Sequence, residues 1–193
     1  MKPIDPAGFE IKFQNDIDPW NYRSSPFEAY KQRVLLHACG SRTYGRGLEV
    51  GCAIGETSRM LAARCLRLVA VDSSITALAE ARRRNADLHR IIFQQAILPE
   101  QMPHGPFDLI VMSEVAYYLT EQSLDILITQ MTHALAPGGR IVCLHHTVRF
   151  LDAAQLPELA EERLKRRLCR SHAMCFRYRH ARFEAVAFTK ARR

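Results

Sequence analysis

No two of the six cysteines (Cys39, Cys52, Cys65, Cys143, Cys169 and Cys175) stand in a Cys-x-x-Cys arrangement. Neither a zinc site nor a redox couple is therefore indicated, and the thiols read as small core or surface residues of a reducing compartment. No apolar run approaches the ~20 residues that span a bilayer, and the polar N-terminus lacks a signal-peptide pattern. A cytoplasmic protein without membrane contact is expected. The dinucleotide fingerprint is also missing. Gly-x-Gly-x-x-Gly would need glycines at 51, 53 and 56, where the chain has Gly51, Ala53 and Glu56. With 193 residues there is room for one domain and not for two, which argues against a nicotinamide dehydrogenase with a separate hydride-acceptor domain.

Acids are scarce at the end of the chain. From Arg163 to Arg193 there are eleven lysines and arginines, and Glu184 is the only carboxylate. Two readings stand: a patch for an anionic substrate or nucleic acid, or the solvated face of a final helix and hairpin. The alternation in Phe176-Arg177-Tyr178-Arg179 has strand period and favours the second. Chemistry on nucleic-acid bases is disfavoured on two further grounds. Ser113-Glu114-Val115-Ala116 stands where Asn/Asp-Pro-Pro-aromatic would be needed, and no cysteine follows a proline.

What is present alternates regularly. Residues 1–25 read as a polar, proline-punctuated lead carrying Trp20. Ser25-Pro26 then signals a helix whose face bears Phe27, Tyr30 and Val34. Beyond a loop, Gly40 to Arg46, strands are predicted at 47–50, 67–71, 90–93, 107–112 and 140–144. Helices are predicted at 56–64, after Ser73 or Ser74 (with Ile75, Leu78 and Ala79 on one side), at 123–136 and at 157–168. Two last strands, 173–178 and 183–189, are close enough in sequence for an antiparallel hairpin. Such alternation predicts a parallel sheet covered on both faces, an α/β Rossmann-like, doubly wound, seven-stranded sheet with the hairpin at its end.

The first strand and turn, Leu48-Glu49-Val50-Gly51-Cys52-Ala53-Ile54-Gly55, and the acid ending the second, Val69-Ala70-Val71-Asp72, form a nucleoside-binding pattern. Glycine lets the backbone approach a ligand closely, and Asp72 offers two acceptors to a ribose diol. Joined to Phe107-Asp108-Leu109-Ile110, Glu114-Val115 and Leu135-Ala136-Pro137-Gly138-Gly139, the pattern resembles class I S-adenosylmethionine-dependent methyltransferases over roughly residues 47–144. Within that class the chain is similar to the nodulation protein S family. The similarity is carried by Asp18-Pro19-Trp20, Ser25-Pro26-Phe27-Glu28, the glycine turn, and Phe107 through Leu119. It fades after His145.

The resemblance implies S-adenosyl-L-methionine as cofactor, S-adenosyl-L-homocysteine as product, and a small-molecule acceptor, an amino-sugar-like amine methylated on nitrogen. O-methylation of another metabolite and a non-catalytic binding module remain as alternatives. Carried over residue by residue, it implies cofactor contacts from Trp20, Glu49, Gly51, Cys52, Ala53, Gly55, Asp72, Ser73, Gln95, Ala96 and Glu114. It also suggests a catalytic set of Glu114, Tyr117 and His145. The roles attached are an ammonium-holding or proton-accepting Glu114, acceptor contact from Tyr117 or Tyr118, and a base at His145 or His146. No metal is expected. The family acid after the third strand is absent, replaced by Gln94-Gln95-Ala96-Ile97-Leu98, so Gln95 or backbone groups are left to meet the adenine. The expected layout is a single domain: a lid and first helix over 1–38, a cofactor-binding core over 47–144, and a C-terminal helix and hairpin over 145–193.

Overall fold

The computed structural model describes residues 3–192. Seven strands form one sheet in the order β3-β2-β1-β4-β5-β7-β6: β1 (Tyr44–Val50), β2 (Cys65–Asp72), β3 (Ile91–Gln95), β4 (Phe107–Ser113), β5 (Leu135–His146), β6 (Ala173–Arg179) and β7 (Phe183–Thr189). The first five are parallel. β7 runs antiparallel to both neighbours, His145 facing Glu184 on one side and Tyr178 facing Ala185 on the other. This is the doubly wound, Rossmann-like sheet with a C-terminal hairpin that the alternation predicted.

Both faces are apolar because helices cover both. Along β4, Ile110 and Met112 pack toward α5 (Glu121–Ala134) and α6 (Pro157–Leu168), with Leu124, Leu127, Ile128, Met131 and Leu164. Leu109 and Val111 face the other way, toward Leu35 of α2 (Pro26–Ala38) and Leu61 of α3 (Glu56–Ala62). Ser25 caps α2 and Thr120 caps α5, each hydroxyl accepting a backbone N–H three residues on.

Several expectations need correction. The lead contains a helix, α1 (Pro6–Asn15), with Asp5 as its cap and Phe13 buried. On α4 (Ile75–Arg84) the inward residues are Ala77, Leu78 and Ala81. Ile75, the first helical residue, is 58% exposed, and Ala79 is exposed as well. β1 begins at Tyr44, inside the predicted loop, and α5 starts two residues earlier than predicted. No helix among the described residues is long and apolar enough to cross a membrane.

In a parallel sheet of this kind the strands end together and the returning helices begin there. Val50, Asp72, Ser113 and His146 therefore share one edge with the N-termini of α3, α4 and α5.

Candidate active site

At that edge lies a cavity of about 460 Å³, walled by the ends of β1, β2, β4 and β5 and roofed by α1. The glycine turn forms one wall. Gly51 has φ 75°, and a Cβ there would run into Val115 Cγ2, so the position tolerates no side chain. Ala53 is also left-handed, φ 46°, and its N–H donates to Asp72 Oδ2 at 2.8 Å. Asp72 Oδ1 accepts from the Ser74 N–H at 3.0 Å at the start of α4. Burial holds the Asp72 carboxyl above its usual range, against these backbone donors. Each carboxylate oxygen keeps a further lone pair at the cavity wall.

The opposite wall is a charged cluster. Glu114 follows β4 in a left-handed conformation, φ 60°. Its carboxylate pairs with Lys31 Nζ, accepts from the Tyr117 hydroxyl, and accepts from the His146 N–H at 2.9 Å. Burial pushes the Glu114 carboxyl up, but the Lys31 ammonium and these donors hold it below the ordinary value. Lys31, only 6% exposed, also contacts both Glu28 oxygens at 3.0 and 2.9 Å. Burial alone would lower its pKa; the two carboxylates raise it instead. Lys31 is thus a fixed cation between two carboxylates.

The sequence-predicted residues divide sharply. Trp20, Gly51, Ala53, Asp72, Ser73, Ala96, Glu114 and Tyr117 line the cavity. Glu49, Cys52 and Gly55 do not. Glu49 is buried beneath the turn with Ser58 Oγ at 2.5 Å, and burial pushes its carboxyl up to about 8. Burial raises the Cys52 thiol well above its ordinary value, while its N–H bonds Val71 O at 2.9 Å. Gly55 starts α3 with φ 81°, and a Cβ would meet Asn85 Nδ2 at 2.7 Å, so it serves the α3–α4 contact. Gln95 is exposed and donates to the Ser73 carbonyl at 3.0 Å, leaving Ala96 and Leu98 as the wall where the family places an acid.

His145 needs correction. It is fully buried on the α6 side with Nδ1 2.8 Å from Glu161 Oε2, away from the cavity. His146, one residue on and facing the other side, lines the cavity, and burial lowers its pKa. Sequence reasoning also missed Phe9, Phe13, Lys31, Phe150 and Arg182. Trp20 does not pack as an isolated aromatic. Its ring sits 5.6 Å from Phe13, 6.4 Å from Phe9 and 5.7 Å from Tyr22. α1 is tied down from its middle: Glu10 accepts from the Ser74 and Thr76 hydroxyls at 2.6 and 2.5 Å, and Lys12 pairs with Asp152 at 2.7 Å. Among the described residues no group of three His, Cys, Asp or Glu could hold a metal.

This geometry can be set beside known proteins. The profile of the family described as Nodulation protein S (NodS) matches residues 11–146. The chain belongs to the nodulation protein S family. Nodulation protein S of Rhizobium tropici is 33% identical over 127 residues, covering 65% of this chain and 53% of that protein. The chain thus spans a little over half the length of that curated relative. Among solved structures, N-methyltransferase NodS from Bradyrhizobium japonicum WM9 in complex with S-adenosyl-L-homocysteine superposes with TM-score 0.81. It is 24% identical and covers 94% of this chain and 97% of that one. A second structure of that NodS gives TM-score 0.73 at 26% identity, covering 87% and 98%. The NodS profile ends at His146, so it takes in the glycine turn, Asp72 and the Glu114 cluster but not the β6–β7 hairpin.

Proposed function

We propose that the protein is an S-adenosylmethionine-dependent methyltransferase acting on nitrogen of a small, amino-sugar-like amine in the cytoplasm. The observation that carries this reading is the single cavity on which the Gly51–Ala53 turn, Asp72 and His146 all open. The residues present fit the cofactor. The left-handed Gly51 and Ala53 bring the backbone of the turn to the cavity wall, Asp72 keeps free lone pairs there, and Ala96 with Leu98 offers an apolar slot. When bound, S-adenosylmethionine supplies a methyl group activated on a sulfonium.

The chain's own part is alignment, water exclusion and proton removal. α1, with Phe9, Phe13 and Trp20, roofs the cavity. Burial keeps the His146 imidazole neutral near pH 7, and so able to take the proton that the amine gives up on methylation. Glu114 is not free to receive an acceptor ammonium, because Lys31 already holds it. Its role becomes positioning: it fixes the Tyr117 hydroxyl and the backbone that carries His146.

The test is S-adenosylhomocysteine release over a panel of amines and alcohols, with mass spectrometry to place the methyl group. N-methylation is expected, and methylation of oxygen alone would overturn the reading. His146→Gln should lower kcat by about a hundredfold, the low end for general-base catalysis, since an amine needs little activation. The kcat/KM profile should lose an acidic limb lying below pH ~6.5, because the lowered pKa leaves the base unprotonated above it.

A further inference from the structure

Among the cavity-lining residues beyond the end of the NodS match is Arg182, on the β6–β7 turn His180-Ala181-Arg182. From this turn we infer that the acceptor carries an anionic group, a carboxylate or a phosphate, which Arg182 binds at the cavity rim while the methylated amine lies deeper beside His146. The inference rests on the cavity being the acceptor site.

Arg182 lines the cavity, and its guanidinium lies 4.0 Å over the Phe27 ring. Stacking fixes the plane of the fork and leaves its N–H edges free to meet a planar or tetrahedral anion in two bonds. The other basic residues nearby are committed. Lys12 pairs with Asp152 and Lys31 with Glu28 and Glu114, while Arg177 and Arg179 of the same hairpin pair with Glu184 and Glu158. Arg182 has no carboxylate partner among the described residues.

The turn is also braced. The Arg182 carbonyl accepts from the Thr147 N–H at 2.9 Å, next to His146, and the Arg182 N–H donates to His180 Nδ1 at 3.2 Å. The His180 ring stacks on Phe183 at 5.0 Å, and both rings pack against Phe27 of α2. Charge therefore runs in one direction along the cavity. Its inner end holds two carboxylates against one ammonium, and its rim holds an unpaired guanidinium. A molecule with an amine at one end and an anion at the other matches that polarity; a neutral amino sugar uses only half of it.

The probes are glucosamine and glucosamine 6-phosphate, compared by S-adenosylhomocysteine release. A second measurement titrates the S-adenosylhomocysteine-loaded protein with inorganic phosphate and with acetate, following the Arg182 Nε–H signal by NMR. The phosphorylated amine should be preferred in kcat/KM by roughly ten- to a hundredfold, the range of a charge-assisted bidentate contact. Arg182→Gln should collapse that ratio to near one. The Arg182 signal should shift saturably with phosphate, acetate, or both, and the stronger of the two assigns the anion. A ratio near one in the unaltered protein, or a preference that survives Arg182→Gln, overturns the inference while leaving amine methylation standing. If neither amine is methylated, a saturable Arg182 shift upholds the anion site and the amine reading falls; no shift removes the anion site.

Discussion

The two edges of the sheet use charge in opposite ways. At the carboxyl edge, where helices begin, Asp72, Glu28 and Glu114 converge on one cavity. At the amino edge, where helices end, several basic side chains are spent on backbone carbonyls. Arg140 donates to the carbonyl of Ala38, the last residue of α2, at 3.0 Å, and Arg64 to that of Gly40, two residues beyond it, at 2.6 Å. Lys190 donates to Thr132 and Leu135 at 3.1 and 2.7 Å, at the end of α5. Cations there complement the negative end of each helix and satisfy carbonyls that have no intrahelical partner. Part of the basic excess is therefore spent on helix ends, and part of the C-terminal run on ion pairs, Arg163 with Glu121 and Asp125, and Lys165 and Arg177 with Glu184. The acids of the other edge instead face the cavity, where Lys31 and backbone N–H groups hold them.

The largest effect should come from breaking the cluster at the carboxyl edge. Lys31→Met leaves Glu114 and Glu28 buried with no cation between them, a change that typically costs about 3–5 kcal/mol. Urea unfolding should show that loss, and Lys31→Met combined with Glu114→Gln should recover part of it. A single variant as stable as the parent would mean that the cluster is solvated. Next in size is Asp72→Ala, which should weaken S-adenosylmethionine binding by roughly 1.5–3 kcal/mol without unfolding the protein. Calorimetry decides it, and unchanged affinity would move the cofactor site away from this edge.

How much of this was legible in the sequence differs by region. Strand–helix alternation and the run of apolar strands specified the sheet, and the hairpin followed from the short link between 179 and 183. The glycine turn was readable because a positive φ packed this closely against Val115 requires glycine, and Asp72 because an acid ends a mostly apolar strand. The choice between His145 and His146 was not. β5 is apolar on both faces, so nothing in its pattern tells which parity faces α6 and which the cavity. Lys31 left no signal either, since a lysine on a helix reads as solvated until its neighbours are known. α1 did leave one: Asp5-Pro6 repeats the cap-and-proline start of Ser25-Pro26, and Phe9 and Phe13 share a helical face.

A smaller effect concerns the latch between α1 and this edge. The Ser74 hydroxyl, then that of Thr76, holds the Glu10 carboxyl at about 2, below its ordinary 4.5. The sign follows from linkage. A depressed folded-state pKa contributes stability that is present above pH 4.5 and is lost as pH falls toward 2. Solvent screening of this partly exposed group limits the gain to about 1 kcal/mol. The only tryptophan, Trp20, packs beside α1 and reports its seating. Its fluorescence should change over that acid window, and Glu10→Gln should remove that part of the change. A Glu10→Gln titration that overlays the parent's would show that the latch contributes nothing.

The smallest effect tests the amino edge itself. Lys190 touches nothing in the cavity and satisfies two carbonyls at the end of α5, so Lys190→Ala should cost about 0.3–1 kcal/mol, the usual worth of a cation at a helix terminus. The melting temperature should fall by a few degrees, following ~4–8 °C per kcal/mol in small domains and less in larger ones. S-adenosylmethionine affinity and the rate of S-adenosylhomocysteine release should stay as they were, because the two edges lie at opposite ends of the strands. The loss should also shrink in high salt, as a helix-terminus charge effect does. If Lys190→Ala left stability intact but weakened methyl transfer, the division of labour between the edges would be wrong. The basic surface would then have to be part of how the acceptor is bound.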